Sequence, residues 1–306
     1  MADSLPVFAL RRLLAAALLA VAVSALTFLT LHGLYPEAFG DTRPLLVELW
    51  HFLVATFIHF DLGQSQARPL GPVTELIGRG LGADFSLLIG ALIFGIAAGT
   101  AGGSVCARHP GTWRARLLQL AALLALCTPV FVLGMASILL FKPGIDAPFP
   151  FGILPYHGYV PLTENPLKWL HSLVVPWMVA GAPLAAVCLR MTRASIAEIR
   201  GEDFIRTATA KGLSPTAVTA RHLVPVALPP VVSLAGAYTP LLIGNVILIE
   251  KVFDVPGVYQ LIPNALDVGN YPIIQGLVIV TAVFVVIVNG VVDIVLAALD
   301  PRIRSG

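Results

Sequence analysis

Charge is what this sequence has least of. Asp, Glu, Lys and Arg make up 12% of its 306 residues, about half the share a soluble domain carries. Apolar residues make up 57% and the mean hydropathy is +0.88. This composition excludes a water-soluble globular fold and describes a polytopic membrane protein. The net charge of +2 is too small to imply a nucleic-acid partner. Cysteine is scarce too. Cys106, Cys127 and Cys188 form no Cys-x-x-Cys pair and sit in or beside apolar segments, so they read as small packing residues and not as disulfides or metal ligands.

Several motifs are missing. There is no GxxxxGK[ST], so the chain does not bind ATP through a P-loop of its own. HExxH, GxSxG and close pairs of intramembrane carboxylates are absent as well, which leaves no catalytic residue and argues against an enzyme. The seven histidines are scattered. His51 and His59, eight apart, could share a helix face and hold a metal with Asp61, but interfacial packing accounts for them more simply, and no metal site is assigned. No internal repeat marks the paired halves common in secondary transporters.

What the chain does have is long apolar runs. Stretches of about 20 residues, enough to cross roughly 30 Å of hydrocarbon, fall at 13–34, 85–106, 117–141, 170–190, 225–249 and 274–298. The first is preceded by Arg11 and Arg12 but is too long for a signal-peptide core, and no small-x-small cleavage site follows it, so it reads as a retained span. Leu45–Phe60 is apolar but short, and it holds Glu48, His51 and His59. It reads as a helix lying in the outer interface. With six spans and both termini cytoplasmic, thirteen of the nineteen basic residues fall inside and six outside. A seventh span at 45–60 would reverse that. The domain reading is an N-terminal transmembrane helix and outer interfacial segment at 1–60, then a core at 61–306 with a cytoplasmic loop at 191–224.

Within the spans polar groups are few, and each costs about 2.5–3.5 kcal/mol at a helix centre if charged. Asn289 and Asp293, four apart on one face of the last span, and Asn245 in the fifth are the candidates for a solute pathway. Pro129, with Thr128 and Gly134, predicts a kink in the third span, and Pro176 and Pro183 predict the same for the fourth.

The longest polar run, Gly201–Pro230, organises the rest. Glu202 and Asp203 suit the first turn of a short helix, and Gly212 closes it before Ser214-Pro215 opens a new segment. Thr207, Ala208, Thr209 and Ala210 give it a thin waist, and Phe204, Ile205 and Ala208 are expected on one face. By spacing alone such a helix either docks in a groove of a partner or lies on the lipid surface.

Several blocks of residues together carry a family likeness. They are Asp203-x-x-Arg206-Thr207-Ala208-x-Ala210-Lys211-Gly212-Leu213-Ser214, then Arg221-His222 and Leu228-x-Pro230. Upstream stand Leu189-Arg190-x-Thr192-Arg193-Ala194-Ser195, Pro129-x-Phe131-x-x-Gly134 and Asp61-Leu62-Gly63-x-Ser65. Downstream stand Glu250-x-Val252-Phe253-x-x-Pro256-Gly257, Tyr271-Pro272-x-x-Gln275-Gly276, Asn289, Asp293 and Asp300-Pro301-Arg302-Ile303-Arg304. Over roughly residues 61–304 the chain resembles the permease subunits of bacterial dipeptide/oligopeptide/nickel ABC importers, in particular the first of their two permeases. It departs from that pattern at LYPEAFGD after the first span, at Pro225, Val226 and Pro229, and at Tyr259, where the family usually has glycine.

The resemblance implies an all-α fold of the type I ABC importer permease class in the bacterial cytoplasmic (inner) membrane, multi-pass in the lipid bilayer. The expected partners are a second homologous permease, two cytoplasmic ATPase subunits and an extracytoplasmic substrate-binding protein. No cofactor is expected on this chain; ATP and Mg would be used by the ATPases. Asp203, Phe204, Arg206, Thr207, Ala208, Ala210, Lys211, Gly212 and Leu213 would form the helix that couples to them. Di- or oligopeptides are the expected cargo. Nickel or another small solute is the alternative, with His51, His59 or His157 open to a metal complex. An ion-coupled secondary transporter is the rival class, but it would need mid-span charges that are nearly absent here.

Overall fold

The structure, a computed structural model, describes residues 5–35, 44–141 and 158–299. Among the described residues the regular structure is helical. In chain order the helices are α1 (Leu5–Leu34), α2 (Leu45–Phe57), α3 (Val73–Arg108), α4 (Trp113–Cys127), α5 (Val130–Phe141), α6 (Pro166–Ile199) and α7 (Asp203–Ala210). They are followed by α8 (Pro215–Val218), α9 (Val224–Phe253), α10 (Leu261–Asp267) and α11 (Tyr271–Leu299). Five are long and apolar enough to cross a membrane, counting Pro215–Phe253 as one, and α4 with α5 makes a sixth if the pair is one span. Arg43, Lys142, His157 and the tail motif Asp300–Arg304 lie outside the described residues.

The third span departs from expectation. In place of a kinked helix over 117–141, the chain bends by 117° between α4 and α5. Pro129 is the cause. A proline pushes the preceding residue out of the helical region, and Thr128 is extended, with φ −95° and ψ 128°. Pro129 then opens α5 by accepting from Val132 N–H at 2.9 Å. At 15 and 12 residues, the two helices reach only about 22 and 18 Å, short of the hydrocarbon thickness individually. Pro176 and Pro183 break nothing, since α6 runs through both for 34 residues. Between α8 and α9 the chain makes a π-helical turn at Thr219–Leu223. The wide turn falls four residues before Pro225, where that ring would otherwise meet the Arg221 carbonyl.

The chain divides into two compact units. One comprises Phe85–Val255 with the segment from Val291. Small residues at several of its helix contacts let membrane helices approach closely. Cys106, Ala115, Ala122, Ala186 and Leu189 pack α3, α4 and α6 together, and Leu184, Cys188, Val231 and Ala235 join α6 to α9. Glycine is required where α3 crosses α6. A Cβ on Gly99 would stand 2.5 Å from the Ala185 carbonyl oxygen, and one on Gly103 would stand 2.6 Å from that of Leu189. Trp177 closes the other end of the contact, donating from Nε1 to the Ser86 carbonyl at 2.8 Å.

The second unit comprises the segment up to Asp84 with Pro256–Gly290. Here α2, read from the sequence as an interfacial helix, packs on α1. Phe52 stacks on Phe28 with ring centroids 5.0 Å apart, and His32 Nε2 lies 3.8 Å from Glu48 Oε2. His32, Glu48, His51 and Asp61 border one open cavity of about 340 Å³. Among the described residues no three His, Cys, Asp or Glu side chains are grouped to hold a metal ion.

Candidate functional site

The polar run Gly201–Pro230 folds into a short helix and its supports. Glu202 stands before α7 in an extended conformation and Asp203 opens its first turn, where a carboxylate meets the positive end of the helix dipole. Thr207 and Thr209 donate their hydroxyls to the carbonyls of Asp203 and Ile205, each at 2.9 Å, a local bond available to threonine within a helix. Lys211 is the C-cap, and Gly212 adopts φ +81°, a left-handed conformation that glycine takes without penalty and that ends helices. Ser214 then caps α8 by accepting from Ala217 N–H at 3.3 Å, with Pro215 at the first position.

The helix has two distinct faces. Ile205 and Ala208 are each 6% exposed and pack with Ala107, Ile196, Val218, Leu223 and Ala227. The helix is thus seated on the ends of α3, α6 and α9. Leu213 packs half-buried against the same cluster. Two arginines tie this seat together. Arg200 donates from Nη1 to the Ala107 carbonyl at 3.0 Å, and Arg108 donates from Nη1 to Thr216 Oγ1 at 3.1 Å. Asp203, Phe204, Arg206, Thr207, Ala210, Lys211 and Gly212 are exposed. Arg206 and Asp203 pair at 3.3 Å in solvent, an arrangement worth little energetically.

The expected single face of Phe204, Ile205 and Ala208 does not form. Phe204 is 45% exposed, because it stands about 100° around the axis from Ile205 while the core occupies the arc between Ile205 and Ala208. Of the nine coupling candidates, Ala208 and Leu213 therefore face the protein's own core. The other seven stand on the open side.

The pathway candidates lie elsewhere. Asn245 is half-buried in α9, and its Nδ2 donates to the Leu241 carbonyl of its own helix at 3.1 Å. Asn289 and Asp293 are half-buried on α11.

Two buried carboxylates stand out more than these three. Glu250, in the last turn of α9, is fully buried; the sequence marks it only as part of a motif. Asp84 is 3% exposed, and its Oδ2 accepts from the buried Val258 N–H at 2.8 Å. Gly80, one turn earlier, makes room for that contact, since a Cβ there would stand 2.7 Å from Val258 N. The signal in the sequence is a lone carboxylate four residues after a glycine in an apolar helix, on the same face. A second span placed from residue 85 leaves Asp84 one position outside it, which is why the residue is not among the candidates. Nearby, the Asp61-Leu62-Gly63-x-Ser65 motif forms a pinned loop. Asp61 Oδ1 accepts from Gly63 N–H at 2.8 Å, while Asn270 Nδ2 donates to Ser65 Oγ at 2.8 Å and its Oδ1 accepts from Gln66 N–H at 3.2 Å.

Comparison with known proteins identifies the family. Residues 99–305 match the family described as binding-protein-dependent transport system inner membrane component. A protein of Brucella abortus (strain 2308) named for a peptide transport system permease is 33% identical over 265 residues, covering 87% of this chain and 82% of that protein. The glutathione transport system permease protein GsiC of Escherichia coli O6:H1 is 32% identical over 268 residues, covering 88% and 82%. The chain belongs to the binding-protein-dependent transport system inner membrane component family, as the residue pattern implied. It is a multi-pass inner-membrane permease subunit and not an enzyme, and its family works with ATPase and substrate-binding partners.

Proposed function

We propose that this chain is the first of two homologous permeases in an importer of di- or oligopeptides, driven by two cytoplasmic ATPases and supplied by an extracytoplasmic binding protein. The names carried by its relatives, for peptide and for glutathione transport, favour this cargo over nickel. Both termini lie on the cytoplasmic side in this reading. Residues 1–60 form an N-terminal transmembrane helix and an outer interfacial segment, and 61–306 form the permease core with its coupling loop at 191–224. Asn245, Asn289 and Asp293 belong to the solute pathway.

One observation carries the coupling role: α7 buries Ile205 and Ala208 in a core shared with three long helices while its other side is open. A helix held this way moves with the bundle as a body. ATP binding and hydrolysis, with Mg, on the partner ATPases would close their dimer and pull on α7 and on its counterpart in the second permease. That motion switches the bundle between inward- and outward-open states. Asp203, Phe204, Arg206, Thr207, Ala210, Lys211 and Gly212 make the docking side, whereas Ala208 and Leu213 hold the helix in its seat.

A tagged chain purified in mild detergent tests this reading. It should bring down a second permease and P-loop ATPases, and membranes containing the set should accumulate labelled dipeptide with ATP. Recovery of the chain alone, active when reconstituted alone, would overturn the reading in favour of a secondary transporter.

A further inference from the structure

We propose that the groove between α4 and the end of α6 holds the phosphate of an anionic phospholipid. The groove encloses about 580 Å³ and is lined by Gln119, Leu123 and Leu126 from α4 and by Leu189, Arg190 and Arg193 from α6. Arg190 and Arg193 are three residues apart on one helix, so their side chains rise from neighbouring positions with Cβ atoms roughly 5–6 Å apart. Arg193 donates from Nη1 to Gln119 Oε1 at 2.7 Å, which orients its guanidinium into the groove and leaves other donors of the fork for an acceptor. Among the described residues neither guanidinium has a carboxylate partner.

The remainder of the groove is apolar. Leu123 is 56% exposed and Leu126 half-buried, and together they form a slope leading away from the arginines along α4. The start of α4 carries the marks of a headgroup-level anchor, with Trp113 69% exposed and the Arg114 guanidinium 5.7 Å from its ring centroid. Unneutralised guanidiniums at one end and exposed leucines at the other match an amphiphile with an anionic head. Basic recesses between membrane helices on the arginine-rich side take such headgroups. A second protein chain would have to place a carboxylate at the arginines and apolar residues along the leucines to fill the same space.

The test uses the full-length chain, purified in neutral detergent and stripped of lipid. It is titrated separately with phosphatidylglycerol, phosphatidylcholine and inorganic phosphate, with thermal unfolding and native mass spectrometry as readouts. Phosphatidylglycerol should raise Tm and give a bound adduct, while the other two do neither. Arg190→Gln with Arg193→Gln should weaken the effect about tenfold, and Arg190→Lys with Arg193→Lys should retain most of it. Leu123→Trp keeps both arginines and obstructs the apolar slope, so it should also weaken binding, and it decides the matter if the double glutamine variant does not fold. An equal response to inorganic phosphate would reduce the groove to a simple anion pocket and overturn the proposal. Unchanged phosphatidylglycerol binding in both Arg190→Gln/Arg193→Gln and Leu123→Trp would overturn it too. So would efficient cross-linking of Ala197→Cys to a second permease in the assembled complex.

Discussion

Arg200 donates a 3.0 Å hydrogen bond from Nη1 to the carbonyl oxygen of Ala107. The residue that ends α6 is thereby tied to the last turn of α3, directly beneath the seat of α7. Ala107 also belongs to the cluster that buries Ile205 and Ala208, so the same junction holds two long helices together and supports the short one.

Breaking that tie has a measurable consequence. Arg200→Met keeps much of the side chain's bulk but removes the donors, and the charged hydrogen bond it loses is worth about 1 kcal/mol at a partly exposed site. The chain should still insert, with a modestly lower Tm in detergent and weaker coupled uptake. Arg200→Lys should recover part of both.

Ala208 and Ala210 are two residues apart on α7 and face opposite environments, the first 6% exposed and the second open. Ala208→Trp overpacks the seat and should cost about 1–3 kcal/mol of stability. Ala210→Trp should change stability by less than about 0.5 kcal/mol, yet abolish recovery of the ATPases with the tagged chain. Thermal unfolding beside co-purification separates the two effects. If ATPase recovery with Ala210→Trp equals wild type, the docking side has been misassigned.

Gly212 ends α7 at φ +81°, and a Cβ added there would meet nothing within 4 Å. Replacement by Val therefore meets conformational strain without a steric clash, of about 1–2 kcal/mol. The expected result is a frayed or redirected α7, seen as faster amide exchange at Lys211 and Leu213 and as loss of coupling. Gly212→Asn should be milder, since asparagine tolerates the left-handed region.

The crossing of α3 and α6 depends on glycine. Gly99→Val places side-chain atoms where the Ala185 carbonyl already stands and should lower stability by about 3 kcal/mol or prevent folding. Gly78, in the same helix, has nothing within 4 Å. Gly78→Ala should be neutral or stabilising by up to about 1 kcal/mol. Comparing Tm for the pair distinguishes close packing from a general intolerance of α3 to substitution.

Asp84 and Val258 offer a local probe. Asp84→Leu leaves the buried Val258 N–H without its acceptor, at a cost of about 1–3 kcal/mol, whereas Asp84→Asn retains a side-chain oxygen for the bond. Hydrogen exchange at Val258 should accelerate strongly in the first variant and little in the second. Equal protection in all three proteins would mean that the bond does not hold the turn.

Much of this protein is decided by local chemistry and is legible in its sequence. Apolar runs of the length needed to cross hydrocarbon specify the spans. Pro129 forces Thr128 out of the helix, Gly212 permits the left-handed turn that ends α7, and Ser214-Pro215 starts α8, because each acts on its own backbone and on neighbours a few residues away. The tertiary structure decided what depends on neighbours distant in the chain. A proline predicts a disturbance but not its 117° angle, which rests on how α4 and α5 pack. Helical spacing brings Phe204 near Ala208, yet only the positions of Ala107, Ile196 and Leu223 determine that Ile205 and Ala208 turn inward and Phe204 outward. Asp84 and Val258 are separated by 174 positions, and nothing local to either residue announces the other. Their bond exists because Gly80 lets the backbone at Val258 come close, and buried amides must find an acceptor wherever the fold brings one.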